Sequence, residues 1–296
     1  KKTMYELRQL SEHDYYIDCP AKIGIVRIDE QNVIAIDSGS DKDAGKKVLR
    51  HLEAKGWKLK AIFNTHSHAD HIGGNQFLQK KTGCRIYAPS MECVYTNHPI
   101  LEPMTLYGGL PLKELKGKFL MAQPSDCQLL TKEVLPQGMD ILELPGHSFD
   151  MVGFRTPDGN VFLADCLSSK ETLAKYGIGY LWNIEQYIQS LEQVEKMNAL
   201  QFIPAHAPVT DDITELARFN LEAAYTLLAN IENLCREPKT FEDLLHDLFA
   251  HYQMTMTVQQ YGLIGSTIRS CLSCLCTKGR MTCLCEDGYV KWQTVQ

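Results

Sequence analysis

Residues 64–74 read Asn64-Thr65-His66-Ser67-His68-Ala69-Asp70-His71-Ile72-Gly73-Gly74, with three histidines and an aspartate inside six residues. They follow a short apolar run, Lys60-Ala61-Ile62-Phe63, that reads as a strand delivering the chain into a tight loop; a helix could open at Ile72. Such a loop can direct His66, His68 and Asp70 one way while His71 reaches another. Neutral imidazoles and a carboxylate suit a borderline divalent ion such as zinc, and ligands this close suggest two ions. A lone loop histidine is ordinarily a satisfied polar side chain. Four ligand-type residues at this spacing, followed by Gly-Gly, weigh against that reading.

The pattern His66-x-His68-x-Asp70-His71 resembles the signature of the metallo-β-lactamase superfamily of metallo-hydrolases. That family pattern adds a later histidine, an aspartate after an apolar strand and a final histidine. The chain has His147 in Leu144-Pro145-Gly146-His147-Ser148, Asp165 after Val161-Phe162-Leu163-Ala164, and His206 after Ile203-Pro204-Ala205. The match covers residues 14–210, and Ala205 departs from the glycine often found before the last histidine. The resemblance implies an α/β fold of the αββα sandwich type with a metal centre between its halves. It implies that His66, His68 and His147 hold one ion, that Asp70, His71 and His206 hold a second, and that Asp165 bridges them. Two ions about 3.5–4 Å apart lower the pKa of a shared water toward neutrality, so a metal-bridging hydroxide would be the nucleophile. Asp70 would also act catalytically, holding that water and accepting its proton. Zinc is the expected metal, with iron and manganese as alternatives.

With 296 residues the chain can bury a sizeable core as one large domain or two smaller ones. A net charge of −6 without long like-charge runs shows no nucleic-acid footprint. No apolar run reaches the length of about 18 residues that a spanning helix needs. The opening Lys1-Lys2-Thr3-Met4-Tyr5-Glu6-Leu7-Arg8 lacks a signal-peptide core. Eleven cysteines, odd in number and spread through apolar runs, read as reduced thiols, so a cytoplasmic protein is expected.

Strands are expected over 15–17, 23–28 and 32–36, with a hairpin at Asp29-Glu30-Gln31-Asn32. Asp37 ends the third; in the family an aspartate here often stands behind the metal ligands, where it would orient an imidazole. Helices follow over 44–55, closed by Gly56, and over 75–81, closed by Gly83, with a strand over 84–88. Residues 89–124 break the pattern with Pro99, Pro103, Pro111 and Gly108-Gly109 and read as an irregular apolar lid. Its position between the first ligand cluster and His147 makes Tyr95, His98 and Tyr107 candidate substrate contacts. Strands over 128–135 and 139–144, a hairpin of 151–155 with 161–164, an amphipathic helix over 184–197 and a strand over 200–204 complete the layering.

A long helix after Asp211-Asp212 leads to a linker at Arg236-Glu237-Pro238-Lys239. Thr240-Phe241-Glu242-Asp243 has capping-box form, and a second helix start stands at Thr257. A hairpin around Glu286-Asp287-Gly288 follows, and helix, helix, hairpin resembles a winged helix, as appended to some members of the superfamily. The expected division is a catalytic domain over 1–212, a connecting helix over 213–236 and a winged-helix-like domain over 237–296. The second tail helix carries little positive charge, which argues against DNA and favours dimerisation or closure of the active-site cleft. Cys271, Cys274, Cys276, Cys283 and Cys285 lack paired C-x2-C knuckles, so they read as packing thiols rather than a zinc site.

The function expected is hydrolysis of a small ester, thioester or lactone. Hydroxyacylglutathione hydrolase is a rival within the family, but its basic C-terminal motif has no convincing counterpart in this tail. Two further rivals are a metal-dependent ribonuclease and an iron-dependent persulfide dioxygenase.

Overall fold

A computed structural model describes residues 4–295; Lys1-Lys2-Thr3 of the opening segment and Gln296 lie outside it. Among the described residues, seven strands form the first sheet in sequence order. They are β1 (Glu6–Gln9), β2 (Asp14–Asp18), β3 (Ile23–Arg27), β4 (Asn32–Ile36), β5 (Lys58–Phe63), β6 (Arg85–Ala88) and β7 (Cys127–Leu129). The first four run antiparallel, and β5 to β7 run parallel to β4. At the β3–β4 hairpin Asp29 accepts hydrogen bonds from the N–H groups of Gln31 and Asn32, so its carboxylate fixes the turn. Parallel strands need crossovers, and α1 (Lys42–Lys55) and, after the short α2 (Ala69–Ile72), α3 (Asn75–Thr82) supply them. Asp41 caps α1, and Gly56 ends it in the left-handed conformation. Val33 and Ala35 of β4 pack outward with Val48 and Leu52 of α1, while Ile34 and Ile36 face inward. Strand alternation with both faces apolar places this sheet between two layers.

The segment between β6 and β7 holds α4 (Ser90–Asn97) and α5 (Leu101–Tyr107). The second sheet has the order β11-β10-β9-β8, built from β8 (Asp140–Glu143), β9 (Val152–Arg155), β10 (Val161–Ser168) and β11 (Phe202–His206). Its helices are α6 (Lys170–Tyr176), α7 (Ile184–Glu195) and α8 (Thr214–Leu234). Tyr16, Phe63 and Tyr87 of the first sheet meet Phe154, Phe162 and Ile203 of the second, so the sheets pack face to face. With α1 and α3 outside one sheet and α7 and α8 outside the other, the layers are the αββα sandwich.

The tail contributes β12 (Lys239–Thr240), α9 (Phe241–His251), α10 (Val258–Thr277), β13 (Met281–Glu286) and β14 (Tyr289–Thr294). Thr240 and Thr257 cap α9 and α10, each accepting from the N–H three residues on. Leu248 of α9 and Ile268 and Leu272 of α10 join the apolar cluster that includes Leu191 of α7 and Leu228 of α8. One core therefore runs from the second sheet into the tail. Thr267 of α10 accepts from Leu181 N–H at 2.8 Å and donates to Gly179 O at 2.9 Å, and Ser270 accepts from Ile184 N–H at 2.9 Å. No helix among the described residues is long and apolar enough to cross a membrane.

Some local expectations change. The 89–124 segment is irregular only in its second half: Pro89 stands ahead of α4 and Pro103 in the first turn of α5, where no intrahelical N–H bond is lost, while 108–124 is loop apart from a 3-10 turn over Lys113–Lys116. The strand expected over 128–135 stops at Leu129, and Lys132–Val134 form a 3-10 turn. The expected linker at 236–239 ends inside β12, whose Lys239 pairs with Trp292 of β14. Strand β1 and helix α6 were not expected.

Candidate metal centre

Each half of the sandwich sends ligand-type side chains from strand ends into one space. The loop after β5 carries His66 and His68, and α2 carries Asp70 and His71. The loop after β8 carries His147, β10 carries Asp165, and β11 ends in His206. Glycines make the close approaches at two of these loops. A Cβ on Gly73 would lie 2.2 Å from the Ser40 backbone, and one on Gly146 would lie 2.2 Å from the Tyr187 nitrogen. Gly146 also sits at φ +123°, a region closed to most side chains. The pairing of β10 with β11 shifts register between Ala164 and Ser168, and Ala164 adopts φ +50°. A bulge of this kind re-aims a side chain, here Asp165.

The seven residues fall into two groups, His66, His68 and His147, and Asp70, His71, Asp165 and His206, in which the ligand atoms lie within 4.8 Å of one another. His147 Nε2 is 3.0 Å from His68 Nδ1. Asp165 joins the groups: Oδ2 lies 3.3 Å from His147 Nε2 and 3.2 Å from His206 Nε2, and Oδ1 lies 3.0 Å from His71 Nε2. Asp70 Oδ2 is 3.2 Å from His206 Nε2.

The far nitrogens of the imidazoles are held by acceptors. His71 Nδ1 is 2.8 Å from Asp37 Oδ2, and His206 Nδ1 is 2.8 Å from the Pro20 carbonyl. Thr65 donates its hydroxyl to Asp37 at 2.7 Å and stands 3.0 Å from His66 Nδ1. These contacts put protons on the outer nitrogens, leaving the inner lone pair of His66 for a ligand and, on His71, an inner nitrogen whose proton an ion would displace. His66 Nε2 and His68 Nε2 are buried without a hydrogen-bond partner, and His71 Nε2 faces only the carboxylates of its own group, Asp165 Oδ1 at 3.0 Å. Buried polar atoms are ordinarily paired, so imidazole nitrogens left open or held only by like ligand-type groups fit divalent ions.

The electrostatics divide in the same way. Burial and neighbouring imidazoles push His66 and His147 below the ordinary value and His68 down to about 3, keeping them neutral. Burial also opposes charge on His71 and His206, but the surrounding aspartates win, Asp165 first among them; His71 is held well above its usual value and His206 up to about 10. Asp70 and Asp165 are depressed despite burial, mainly by His71 and His206. The second group thus carries as protons the positive charge that an ion would bring, and metal uptake would release them.

Tyr95, His98 and Tyr107 lie elsewhere. The Tyr95 ring is buried against Phe149, and its hydroxyl is 2.6 Å from Thr105 Oγ1; His98 is exposed between α4 and α5, and Tyr107 is exposed at the end of α5. The lid instead brings in two buried acids that the sequence reading passed over. Glu92 of α4 accepts from Ser67 and Ser148, and Glu102 of α5 lies 3.8 Å from His68 Nε2. Burial pushes Glu102 up to about 8. Tyr180, also missed, sets its ring edge-on to His68 and His147 at 5.2 and 5.8 Å. Isolated acids inside an apolar lid were the available signal for Glu92 and Glu102; Tyr180 had none.

Comparison with known proteins agrees with this geometry. A profile of the metallo-beta-lactamase superfamily matches residues 16–206, and the chain belongs to that superfamily. Curated relatives include a hydroxyacylglutathione hydrolase from Bradyrhizobium sp. (strain BTAi1), 32% identical over 123 residues, covering 41% of this chain and 39% of the relative. Another, from Trichormus variabilis, is 27% identical over 181 residues, covering 61% and 59%. The matched stretches thus span less than two thirds of these relatives' own length. Among solved structures, a beta-lactamase domain protein from Burkholderia ambifaria superposes with a TM-score of 0.74 at 15% identity, covering 99% of this chain and 94% of that one. A metallo-beta-lactamase family protein from Thermus thermophilus gives 0.71 at 17% identity, covering 99% and 98%. At such identities the likeness is one of fold.

Proposed function

We propose that this protein is a dinuclear metal-dependent hydrolase of small esters, thioesters or lactones. The observation that carries the reading is the convergence of seven ligand-type side chains in two groups, each within 4.8 Å, including imidazoles whose outer nitrogens are held by Asp37, Thr65 and Pro20. His66, His68 and His147 would hold one ion and Asp70, His71 and His206 the other, with Asp165 between them; zinc suits these donors, and iron or manganese would fit as well. Bound there, the ions would supply an activated water near neutral pH and polarise the carbonyl. Asp70, whose side chain is 41% exposed, is the ligand most open to solvent and the one placed to orient water and accept its proton. Asp37 orients His71, and Tyr180 and Glu102 close the space beside His68. The substrate is a small molecule, and α10 buttresses the 179–184 loop that faces it.

The curated relatives' names favour a thioester within this class, hydroxyacylglutathione being one specific form. Metal analysis of protein purified without chelator, with turnover of an ester, thioester and lactone panel, tests the proposal. About two metal equivalents and turnover of at least one panel member are expected; a metal-free protein inert toward all three, with added zinc, iron or manganese, would remove it.

A further inference from the structure

We infer that the cavity beside the metal centre receives an uncharged, apolar arm of the substrate, an alkyl or aryl chain joined to the scissile ester or thioester group. The inference rests on the hydrolase reading above and adds the class of substrate. His147, Asp165 and His206 form one end of a cavity of about 560 Å³, within the range of small-molecule sites. Beyond them the wall includes Leu173 of α6, Ile178 and Leu181 of the following loop, and Phe219, Ala224 and Leu227 of α8.

Asn220, Tyr187 and Tyr252 of that wall have their hydrogen bonds already made. Asn220 Oδ1 accepts from the Tyr187 hydroxyl at 3.1 Å and from Ser168 N–H at 2.9 Å. Its amide donates to Ser168 O and Leu216 O, both at 2.9 Å. The Tyr252 hydroxyl accepts from Asn230 at 3.0 Å. Glu222 and Thr226 lie at the exposed rim. Among the described lining residues there is no lysine or arginine, and Glu222 is the one acid besides Asp165. Beyond the His206 end, an anionic arm would lose hydration with no lining lysine or arginine to pair with, and Glu222 would repel it. An alkyl arm loses nothing and gains about fourfold in binding for each methylene taken from water. In the reaction water adds its oxygen to the carbonyl carbon, the C–O or C–S bond breaks, and the leaving oxygen or sulfur takes the proton.

The test uses the metal-loaded full chain and two thioester and ester series, one lengthening the acyl side from acetyl to decanoyl, the other lengthening the leaving side on a fixed acetyl group. In one series kcat/KM should rise about fourfold per methylene and then level off, and that series identifies the side held in the cavity. Calorimetry should show binding of decanoate and none of glutathione at the same concentration. Ala224→Phe should move the preferred length to shorter chains and weaken decanoate about tenfold. Leu227→Ala, made in case the larger side chain disturbs folding, should move it to longer ones. Flat dependence in both series with turnover intact, or preference for a hydroxyacylglutathione over the decanoyl thioester, would overturn the apolar arm and leave the hydrolase reading standing. Absence of turnover in a dinuclear protein would instead remove the hydrolase reading, and decanoate binding would still decide the nature of the cavity.

Discussion

Ser148 donates its hydroxyl hydrogen to Oε1 of Glu92 at 2.6 Å. From the other ligand loop, Ser67 gives its hydroxyl and its backbone N–H to Oε2 of the same carboxylate, at 2.6 and 2.8 Å. Ser67 lies between His66 and His68, and Ser148 follows His147. One side chain on α4 therefore sets the spacing of the whole histidine trio. Asp150 returns the contact by accepting from the N–H groups of Met91 and Glu92 at the start of α4.

Glu92→Gln keeps the shape but presents an amide where Ser67 and Ser148 need acceptors. Leaving buried donors unpaired costs about 1–3 kcal/mol, and loss of a group that orients ligands typically costs about 10–100-fold in metal affinity. The variant should fold, with a native far-UV spectrum, and bind zinc more weakly by that factor in a competition titration with a chelator. Unaltered affinity would mean that the sandwich alone sets the spacing.

The same residue gives a pH dependence. Burial pushes the Glu92 carboxyl from its ordinary 4.5 up to about 7, against the pull of the Ser148 and Ser67 hydrogen bonds. Between those values the folded protein keeps a proton that the unfolded chain has released. The stabilisation is present in full below pH 4.5 and is lost as the pH rises through about 7, on the order of 3 kcal/mol in all. Urea midpoints of wild type and Glu92→Gln, both with chelator, should differ less in favour of wild type at pH 8 than at pH 5. An equal difference at both would show that the donors from Ser67 and Ser148 keep the group ionised throughout.

Asp165→Ala should reduce bound metal from about two equivalents to about one and lower kcat by at least about 100-fold. The reason is geometric: its two oxygens face His71, His147 and His206, nitrogens belonging to both groups. Elemental analysis together with kinetics on the best panel substrate decides it, and a fully active dinuclear variant would place the bridge elsewhere.

Much of this centre was legible because its information is local. Ligand identity, spacing and position after an apolar run are all visible between Lys60 and Gly74, and the threonine caps of α9 and α10 are equally local. The four layers came from family resemblance, since periodicity alone shows only alternating strands and helices. What stayed hidden is long-range. Glu92 matters because α4 lies across both ligand loops, and Tyr180 because α10 props its loop against them. The prolines of 89–124 suggested irregular chain, yet proline is as much at home in a helix's first turn as in a coil.

The tail cysteines give a fourth test. Cys271 and Cys274 are buried on α10, Cys276 is half-buried, and Cys283 and Cys285 are exposed on β13. Serine at 274 and 276 together should leave metal content unchanged and lower stability by about 1–2 kcal/mol, since Cys274 is only 7% exposed. Elemental analysis and thermal melts read both quantities. Loss of one metal equivalent with unfolding of 240–296 would assign these thiols to a zinc site.

The hydrogen bonds from Thr267 and Ser270 to the 179–184 loop carry a practical consequence. The seven ligand-type residues stand on the strands β10 and β11, on the short α2 and in the loops after β5 and β8, while the cavity wall beyond them comes from α6, α8 and the 177–181 loop, whose end is held by α10. Substitutions on the cavity-facing sides of α6 and α8 would therefore alter the pocket without touching a ligand-type residue. Trimming the tail to obtain a minimal catalytic fragment would strip α9 and α10 from the core they share with α7 and α8 and release the 179–184 loop beside the ligands.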